Sequence, residues 1–152
     1  MKRFIHAVAG SVALVSIATF WTATVATELA GDTTLIAWVK QGVLVGMAVL
    51  VPALMATGGS GFALAKSWRG RAVETKKRRM MLAAANGLLI LLPAAVLLAT
   101  WSAAGRFDGW FMAVQALELA AGATNFVLLG LNMRDGLRMR SRRLAGRAAS
   151  VA

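Results

Sequence analysis

The stretch KSWRGRAVETKKRR, residues 66–79, contains seven of the 17 lysine and arginine residues of this chain. Two further basic patches lie at residues 2–3 and 134–147, so that only Lys40 and Arg106 fall outside the three patches. Long apolar runs separate the patches, at residues 4–27, 41–65, 80–104 and 110–131. Because about 20 apolar residues are enough for a helix to cross a bilayer core, each run predicts a transmembrane helix.

The distribution of charge predicts how these helices are oriented. Cytoplasmic loops of membrane proteins are enriched in lysine and arginine, so both termini, the basic loop 66–79 and the basic tail 134–152 are expected in the cytoplasm. We therefore predict an all-α integral membrane protein, with a four-transmembrane-helix bundle that forms a single domain over residues 1–152. Its expected location is the cytoplasmic (inner) membrane, as a multi-pass protein. A hydrophobic content of 59% agrees with this class.

A basic start followed by an apolar run is also typical of a signal peptide. The run 4–27 has about 24 residues, whereas the apolar core of a signal peptide usually has about 7–15. No clear small-residue cleavage motif precedes Glu28. We therefore expect the first helix to be retained.

Composition excludes several kinds of site. The chain has no cysteine and one histidine, which excludes disulfides, iron–sulfur clusters and a zinc site built from this chain alone. No nucleophile motif is present, so we predict no catalytic residue and no metal site. The net charge of +11 is divided among short segments beside helices, which favours topology and anionic lipid over nucleic acid as its explanation.

The fourth apolar run carries a stripe of small and polar residues. Their spacing of three, four, three and seven places them on one side of a helix. They are Gln115, Glu118, Gly122, Asn125 and Asn132. Polar groups inside a membrane must face protein or water, so the polar members of this stripe, with Asn86 on the third helix, are predicted to form an intramembrane polar site. The simpler interpretation is interhelical hydrogen bonding that only holds the bundle together.

Glu118 is the first candidate for function in this stripe. A carboxylate within a membrane helix is costly, so it is expected to be neutral or paired, and such acids often take part in function. The donors that could reach it are Lys40, Trp21 and Gln115. A protonated acid with a purely structural role is the alternative.

His6 is the only histidine and lies at the predicted cytoplasmic boundary of the first helix. Histidine and methionine are axial ligands of haem, which makes haem b a candidate cofactor. The possible second ligands are Met80, Met81 and Met133, or His6 of a second chain. The simpler interpretation is that His6 is an ordinary polar anchor at the membrane surface.

The basic loop predicts contact with anionic lipid head groups at the cytoplasmic face. Each lysine or arginine near a charged bilayer surface contributes about 1 kcal/mol. The residues concerned are Arg69, Arg71, Lys76, Lys77, Arg78 and Arg79. Topology alone also explains them.

Three hypotheses for function follow from these patterns. The first is a non-catalytic accessory or assembly subunit of a larger membrane complex, in contact with other membrane subunits or with copies of itself. The second is a haem b electron-transfer protein with His6 as an axial ligand. The third is a small proton-coupled transporter that uses Glu118.

The third hypothesis rests on a resemblance in architecture. Four helices and one acid within the membrane resemble the small multidrug-resistance exporters. Those exporters have their essential acid on the first helix, whereas Glu118 lies on the fourth. The distribution of 15 basic residues on one side and two on the other also disfavours the antiparallel dimers of that family.

Overall fold

The structure, a computed structural model, describes residues 2–65 and 71–149, and these residues form helices and short turns without any strand. The helices are α1 (Lys2–Ala30), α2 (Thr33–Ala65), α3 (Arg71–Asn86), α4 (Leu92–Ala103) and α5 (Gly109–Ala149). One π-helical turn, Gly87–Leu91, joins α3 to α4 without a break. Four segments are long and apolar enough to cross a membrane, namely Phe4–Ala30, Thr33–Gly61, Glu74–Ala103 and Gly109–Arg138. This confirms the predicted all-α class with four membrane-length helices, and it indicates a multi-pass membrane protein.

The helices pack as the four corners of a square. α1 contacts α2 and α5, and the rod formed by α3 and α4 contacts the same two helices from the opposite corner. The turns 31–32 and 104–108 lie at one end, which we call the short-loop end. The opposite end, with residues 71–79 and 134–149, we call the basic end. The core between the helices is apolar, with Ala13, Ile17, Leu50, Ala95 and Leu129 among its buried side chains.

Glycine and aspartate residues form both turns at the short-loop end. Gly31 and Gly105 have φ angles of 66° and 68°, a left-handed conformation that glycine adopts readily and that commonly ends a helix. Oδ1 of Asp32 accepts hydrogen bonds from the N–H groups of Thr34 and Leu35 and so caps the start of α2. Short, well-capped turns of this kind oblige consecutive helices to run antiparallel.

Asp108 caps α5 in the same way. Its Oδ1 accepts a hydrogen bond of 3.0 Å from the Phe111 N–H, and its Oδ2 accepts one of 2.6 Å from Nε of Arg106. The Phe111 N–H, and after it Arg106, hold the pKa of Asp108 below its usual value because both stabilise the ionised carboxylate. The cap is therefore retained at neutral pH and weakens only in acid, as the pH falls through that lowered pKa.

The π-helical turn is explained by the proline that follows it. Pro93 has no N–H, so it cannot donate a hydrogen bond to the preceding turn. The Leu92 N–H bonds instead to the Gly87 carbonyl, five residues back, and this wider turn lets the rod continue. The other proline, Pro52, lies inside α2, which continues around it to Ala65.

The ends of the helices differ from those predicted. α2 begins at Thr33 instead of residue 41, because Lys40 is accommodated inside the bundle and does not end the helix. Residues 71–79 of the predicted basic loop and 134–149 of the predicted tail are helical as well. Lysine, arginine and glutamate favour helix, so these segments extend the helices beyond the apolar runs. The remaining parts of that loop and tail, 66–70 and 150–152, lie outside the described residues.

Close contact between α1 and α2 depends on Gly46. A Cβ atom at Gly46 would lie 2.7 Å from Cε1 of the Phe20 ring, closer than van der Waals contact permits. Gly42, one turn earlier, has open space around the same position. The two glycines of this G-x-x-x-G pair therefore differ, and only Gly46 makes the close approach.

We expect Gly46→Ala to destabilise the bundle by about 1–3 kcal/mol, because the Phe20 ring must move to admit the methyl group. Gly42→Ala is the matched control and should be neutral or stabilising by up to about 1 kcal/mol, since alanine favours helix and meets no neighbour. Thermal unfolding in one detergent, followed by circular dichroism, checks both. Equal midpoints for the two variants would contradict the packing described.

Candidate functional site

The centre of the bundle contains an ion pair between Lys40 on α2 and Glu118 on α5. Nζ of Lys40 donates a hydrogen bond to Oε2 of Glu118. Lys40 is 1% exposed and Glu118 is 8% exposed, so both charged side chains are buried between the helices. A single charge at this depth is costly, and pairing offsets much of that cost. Of the three donors considered for Glu118, Lys40 is therefore the partner.

Neighbouring helices hold the surroundings of the pair in place. Nε2 of Gln41 donates a hydrogen bond of 2.7 Å to the Ala99 carbonyl and so ties α2 to α4. Nε1 of Trp21 donates one of 3.1 Å to the Leu119 carbonyl, which ties α1 to α5 beside the acid. The same indole lies against Gly122, where a Cβ atom would be 3.3 Å from its ring. α4 thus holds the backbone of α2 beside Lys40, and α1 holds the backbone of α5 beside Glu118.

Two side chains at this site have polar atoms without a partner. Gln115, one turn before Glu118 on the same buried face, is 3% exposed, and neither its Oε1 nor its Nε2 makes a hydrogen bond. Oε1 of Glu28, at the end of α1, is also enclosed without a donor. Glu28 interacts electrostatically with both Lys40 and Glu118. Buried polar atoms are nearly always satisfied by protein or by ordered water, so water is expected beside Gln115 and Glu28.

A small cavity lies beside Glu118, on the side away from the short loops. It has a volume of about 40 Å³ and is lined mainly by apolar side chains of α1 and α2, with Trp21, Thr24 and Glu118 as its polar neighbours. By the same measure a single water requires about 10–15 Å³. The cavity therefore has room for a few waters beside the acid and is far smaller than the roughly 300–1,000 Å³ of typical ligand pockets.

A second polar cluster lies deeper, between α3 and α5. Nδ2 of Asn86 donates hydrogen bonds to the Ala121 carbonyl at 2.8 Å and to Oδ1 of Asn125 at 2.9 Å. Nδ2 of Asn125, which is fully buried, donates in turn to the Ala83 carbonyl at 3.2 Å. Both asparagines are used in interhelical hydrogen bonds, which is the structural role considered for them above.

Asn132 is the last polar member of the stripe on α5. It is 6% exposed, and neither atom of its side-chain amide has a partner. All four polar residues of the stripe therefore face the interior, but they do so in three separate surroundings. Gln115 and Glu118 belong to the ion-pair site, Asn125 to the hydrogen-bonded cluster, and Asn132 to the part of the bundle near the basic end.

The structure places the four residues considered as haem ligands in two different surroundings. Nδ1 of His6 lies 3.1 Å from the Thr57 carbonyl, and a Cβ atom on Gly61 would meet both His6 and Met80 within 3.2 Å. These two side chains thus both lie against the Gly61 backbone. Met81 and Met133 are 60% and 46% exposed on the outside of the bundle.

Of the basic residues considered for lipid binding, two interact with an acid on α5 and two others are exposed or partly exposed. Nη1 of Arg79 donates a hydrogen bond of 2.8 Å to Oδ2 of Asp135 on α5, and Lys76 interacts electrostatically with the same acid. Arg78 is exposed and Lys77 is partly exposed. Arg71 begins α3, and Arg69 lies outside the described residues.

Sequence reasoning missed two residues of the ion-pair site. Glu28 was assigned to the loop after the first helix, and Gln41 was treated as the start of the second. The sequence did contain a signal for Glu28. It is an acid directly after the apolar run 4–27, and Lys40 follows it across a short loop.

Comparison with protein-family models, with curated proteins and with solved structures finds no match to this chain.

We expect Lys40→Met to destabilise the bundle by about 3–5 kcal/mol, because it leaves the Glu118 carboxylate buried without its cation. Adding Glu118→Gln to this variant should restore most of the loss, since the buried carboxylate that lost its cation is then removed as well. Unfolding in detergent, followed by circular dichroism, measures both.

A matched control is the exposed pair formed by Arg106 and Asp108, where Arg106→Gln should have little effect. If Lys40→Met and Arg106→Gln were equally mild, the central pair would not stabilise the fold as described.

The hypothesis of an accessory subunit without haem predicts a colourless protein. Purified wild-type protein from cells supplied with haem should show no Soret band, whether oxidised or reduced with dithionite. A Soret band that is present in the wild type and lost in His6→Ala would contradict this expectation and support haem b binding.

Proposed function

We propose that this protein is a non-catalytic accessory or assembly subunit of a larger complex in the cytoplasmic (inner) membrane, with its basic end in the cytoplasm. The observation that carries the proposal is that α3 and α5 extend at this end as two paired basic helices. The Arg79–Asp135 ion pair joins them. Lys76 of α3 also lies against α5, because a Cβ atom on Gly136 would be 3.3 Å from its Nζ. A rigid, charged helix pair of this kind is suited to docking.

The length of α5 supports this proposal. Its 41 residues correspond to about 60 Å, whereas the hydrocarbon core of a bilayer is about 30 Å thick. A substantial part of α5 must therefore lie beyond the hydrocarbon core. Its final segment, 134–149, contains six arginines and one acid, and the positive-inside rule favours a cytoplasmic position for such a segment.

The same helix pair is suited to contact with anionic lipid. Arg78, Arg134 and Arg138 are exposed at the basic end, where phosphate head groups would surround them. Each such residue contributes about 1 kcal/mol near a charged membrane surface. Lipid contact would hold the helix pair at the membrane surface, in a position to meet a partner subunit.

Proton-coupled transport through Glu118 is a second candidate, favoured by the burial of this acid and by the unpaired Gln115 amide. It ranks lower for two reasons. Lys40 of the same chain already neutralises Glu118. The adjoining cavity, at about 40 Å³, has room for water and for little else.

The proposal is tested by extracting the tagged protein from its own membrane with a mild detergent and measuring the mass of the complex by light scattering and native mass spectrometry. We expect a complex of fixed composition that contains a second polypeptide besides this 16.0 kDa chain. The variant Arg78→Glu with Arg138→Glu should lose the second polypeptide, because it reverses charge on the exposed side of the helix pair.

The variant Arg78→Lys with Arg138→Lys keeps the charge and serves as the matched control, so it should retain the complex. A wild-type protein that is found only as a monomer or only as a homo-oligomer would contradict an accessory role.

A further inference from the structure

Three basic side chains lie around one acid where α3 meets α5 at the basic end. Asp135 of α5 accepts a hydrogen bond of 2.8 Å from Nη1 of Arg79, and its Oδ1 lies 3.7 Å from Nε of Arg134. Nζ of Lys76 lies beside the next residue, Gly136, where a Cβ atom would be 3.3 Å from it. We call these five residues the α3–α5 seam. With three positive charges and one negative charge, the seam has a net charge of +2.

The ammonium group of Lys76 is the member of the seam that lacks a close partner. Within the described residues it makes no hydrogen bond and no close ion pair. The neighbouring acid, Asp135, is already in contact with Arg79 and Arg134. An ammonium group has three hydrogen-bond donors, so those of Lys76 are available to an acceptor from outside the protein.

The seam lies at the depth of the lipid head groups. It falls at the ends of two membrane-length segments, Glu74–Ala103 and Gly109–Arg138. The phosphate groups of a bilayer lie just outside its hydrocarbon core, and therefore close to the ends of such segments. Next to Arg134 on α5, Met133 and Leu137 are 46% and 57% exposed. A lipid can thus place its phosphate on the charged seam and its acyl chains against apolar side chains of the same helix.

We propose that the α3–α5 seam binds one membrane lipid whose head group ends in a phosphate monoester. Such a group has a charge of about −1.5 to −2 at pH 7, which balances the charge of the seam. A phosphodiester head group has one negative charge and leaves part of the seam unbalanced. Lys76 and Arg134 donate charge-assisted hydrogen bonds to the phosphate oxygens, while Arg79 remains on Asp135.

This site is more selective than the general lipid contact described above. Arg78 and Arg138 are exposed and attract any anionic lipid through charge alone. The seam distinguishes lipids by the number of charges on one phosphate. The inference rests on the proposed position of the basic end at the membrane surface, and it does not require a partner subunit.

The experiment compares two lipids by native mass spectrometry of the purified full-length protein in a mild detergent. The probes are phosphatidic acid, a phosphate monoester, and phosphatidylglycerol, a phosphodiester, with identical acyl chains. We expect one phosphatidic acid to bind to each chain about fivefold more tightly than phosphatidylglycerol, which is the effect of one further charge near a basic residue.

Two variants of the seam should reduce this preference to less than about twofold. Lys76→Gln removes one charge from the seam. Gly136→Leu keeps every charge but places a side chain where the Lys76 ammonium lies. The matched controls are Lys77→Gln, on the same helix turn, and Gly130→Leu, which has open space around it on α5. Both controls should keep the preference, although Lys77→Gln weakens the binding of both lipids equally.

Equal binding of the two lipids by the wild type would overturn the proposal, as would a preference that survives in both seam variants. Displacement of the lipid by an equal concentration of inorganic phosphate would also overturn it, since the seam would then bind free phosphate. Circular dichroism and elution volume show whether each variant is folded. If Gly136→Leu does not fold, Lys76→Gln compared with Lys77→Gln still decides the matter, because both change only one charge.

The outcome is independent of the test for an accessory role. A wild-type protein that prefers phosphatidic acid but is purified without a second polypeptide would support this site and contradict the accessory role. A stable complex without lipid preference would do the reverse.

Discussion

The Lys40–Glu118 pair is the interaction on which the arrangement of this bundle depends. α2 and α5 occupy opposite corners of the square, and within the described residues their backbones do not approach each other. The long lysine side chain spans this diagonal and reaches the acid at the centre. Because each charge would be costly without the other, the pair ties together two helices that packing alone would leave apart. The helices at the other two corners must then close around it.

The hydrogen bonds around the pair follow from that constraint. Gln41 holds α2 against α4, Trp21 holds α1 against α5, and Asn86 with Asn125 holds α3 against α5. All four side chains bond at least one backbone carbonyl or a partner amide across a helix interface. In an apolar surrounding such bonds have little competition from water, so they specify which faces meet. Gly46 serves the same purpose sterically, since it admits the Phe20 ring.

The sequence predicted the number of helices well because hydrophobic run length is a strong signal. It predicted helix ends poorly at Lys40 and at the basic segments 71–79 and 134–149. A lysine usually lies at the edge of a membrane span. It can lie inside the span only when another helix supplies an acid to pair with it, and the sequence alone does not show that partner. Charged segments outside the membrane give no periodic apolar signal, although they readily form helix. The sequence singled out Glu118 and named Lys40 among its possible donors, but it did not predict Glu28 as a member of the same site.

The sequence by itself determined four apolar spans, three basic patches and a buried polar stripe, because each of these is a pattern along one chain. Tertiary structure decided which members of the stripe share a site. Glu118 and Asn125 are seven residues apart on one helix, yet one meets a lysine from α2 and the other an asparagine from α3. It also separated His6 and Met80, packed over Gly61, from Met81 and Met133 on the outside. These outcomes depend on the rotation of each helix against its neighbours, which is set by packing between helices and not by local sequence.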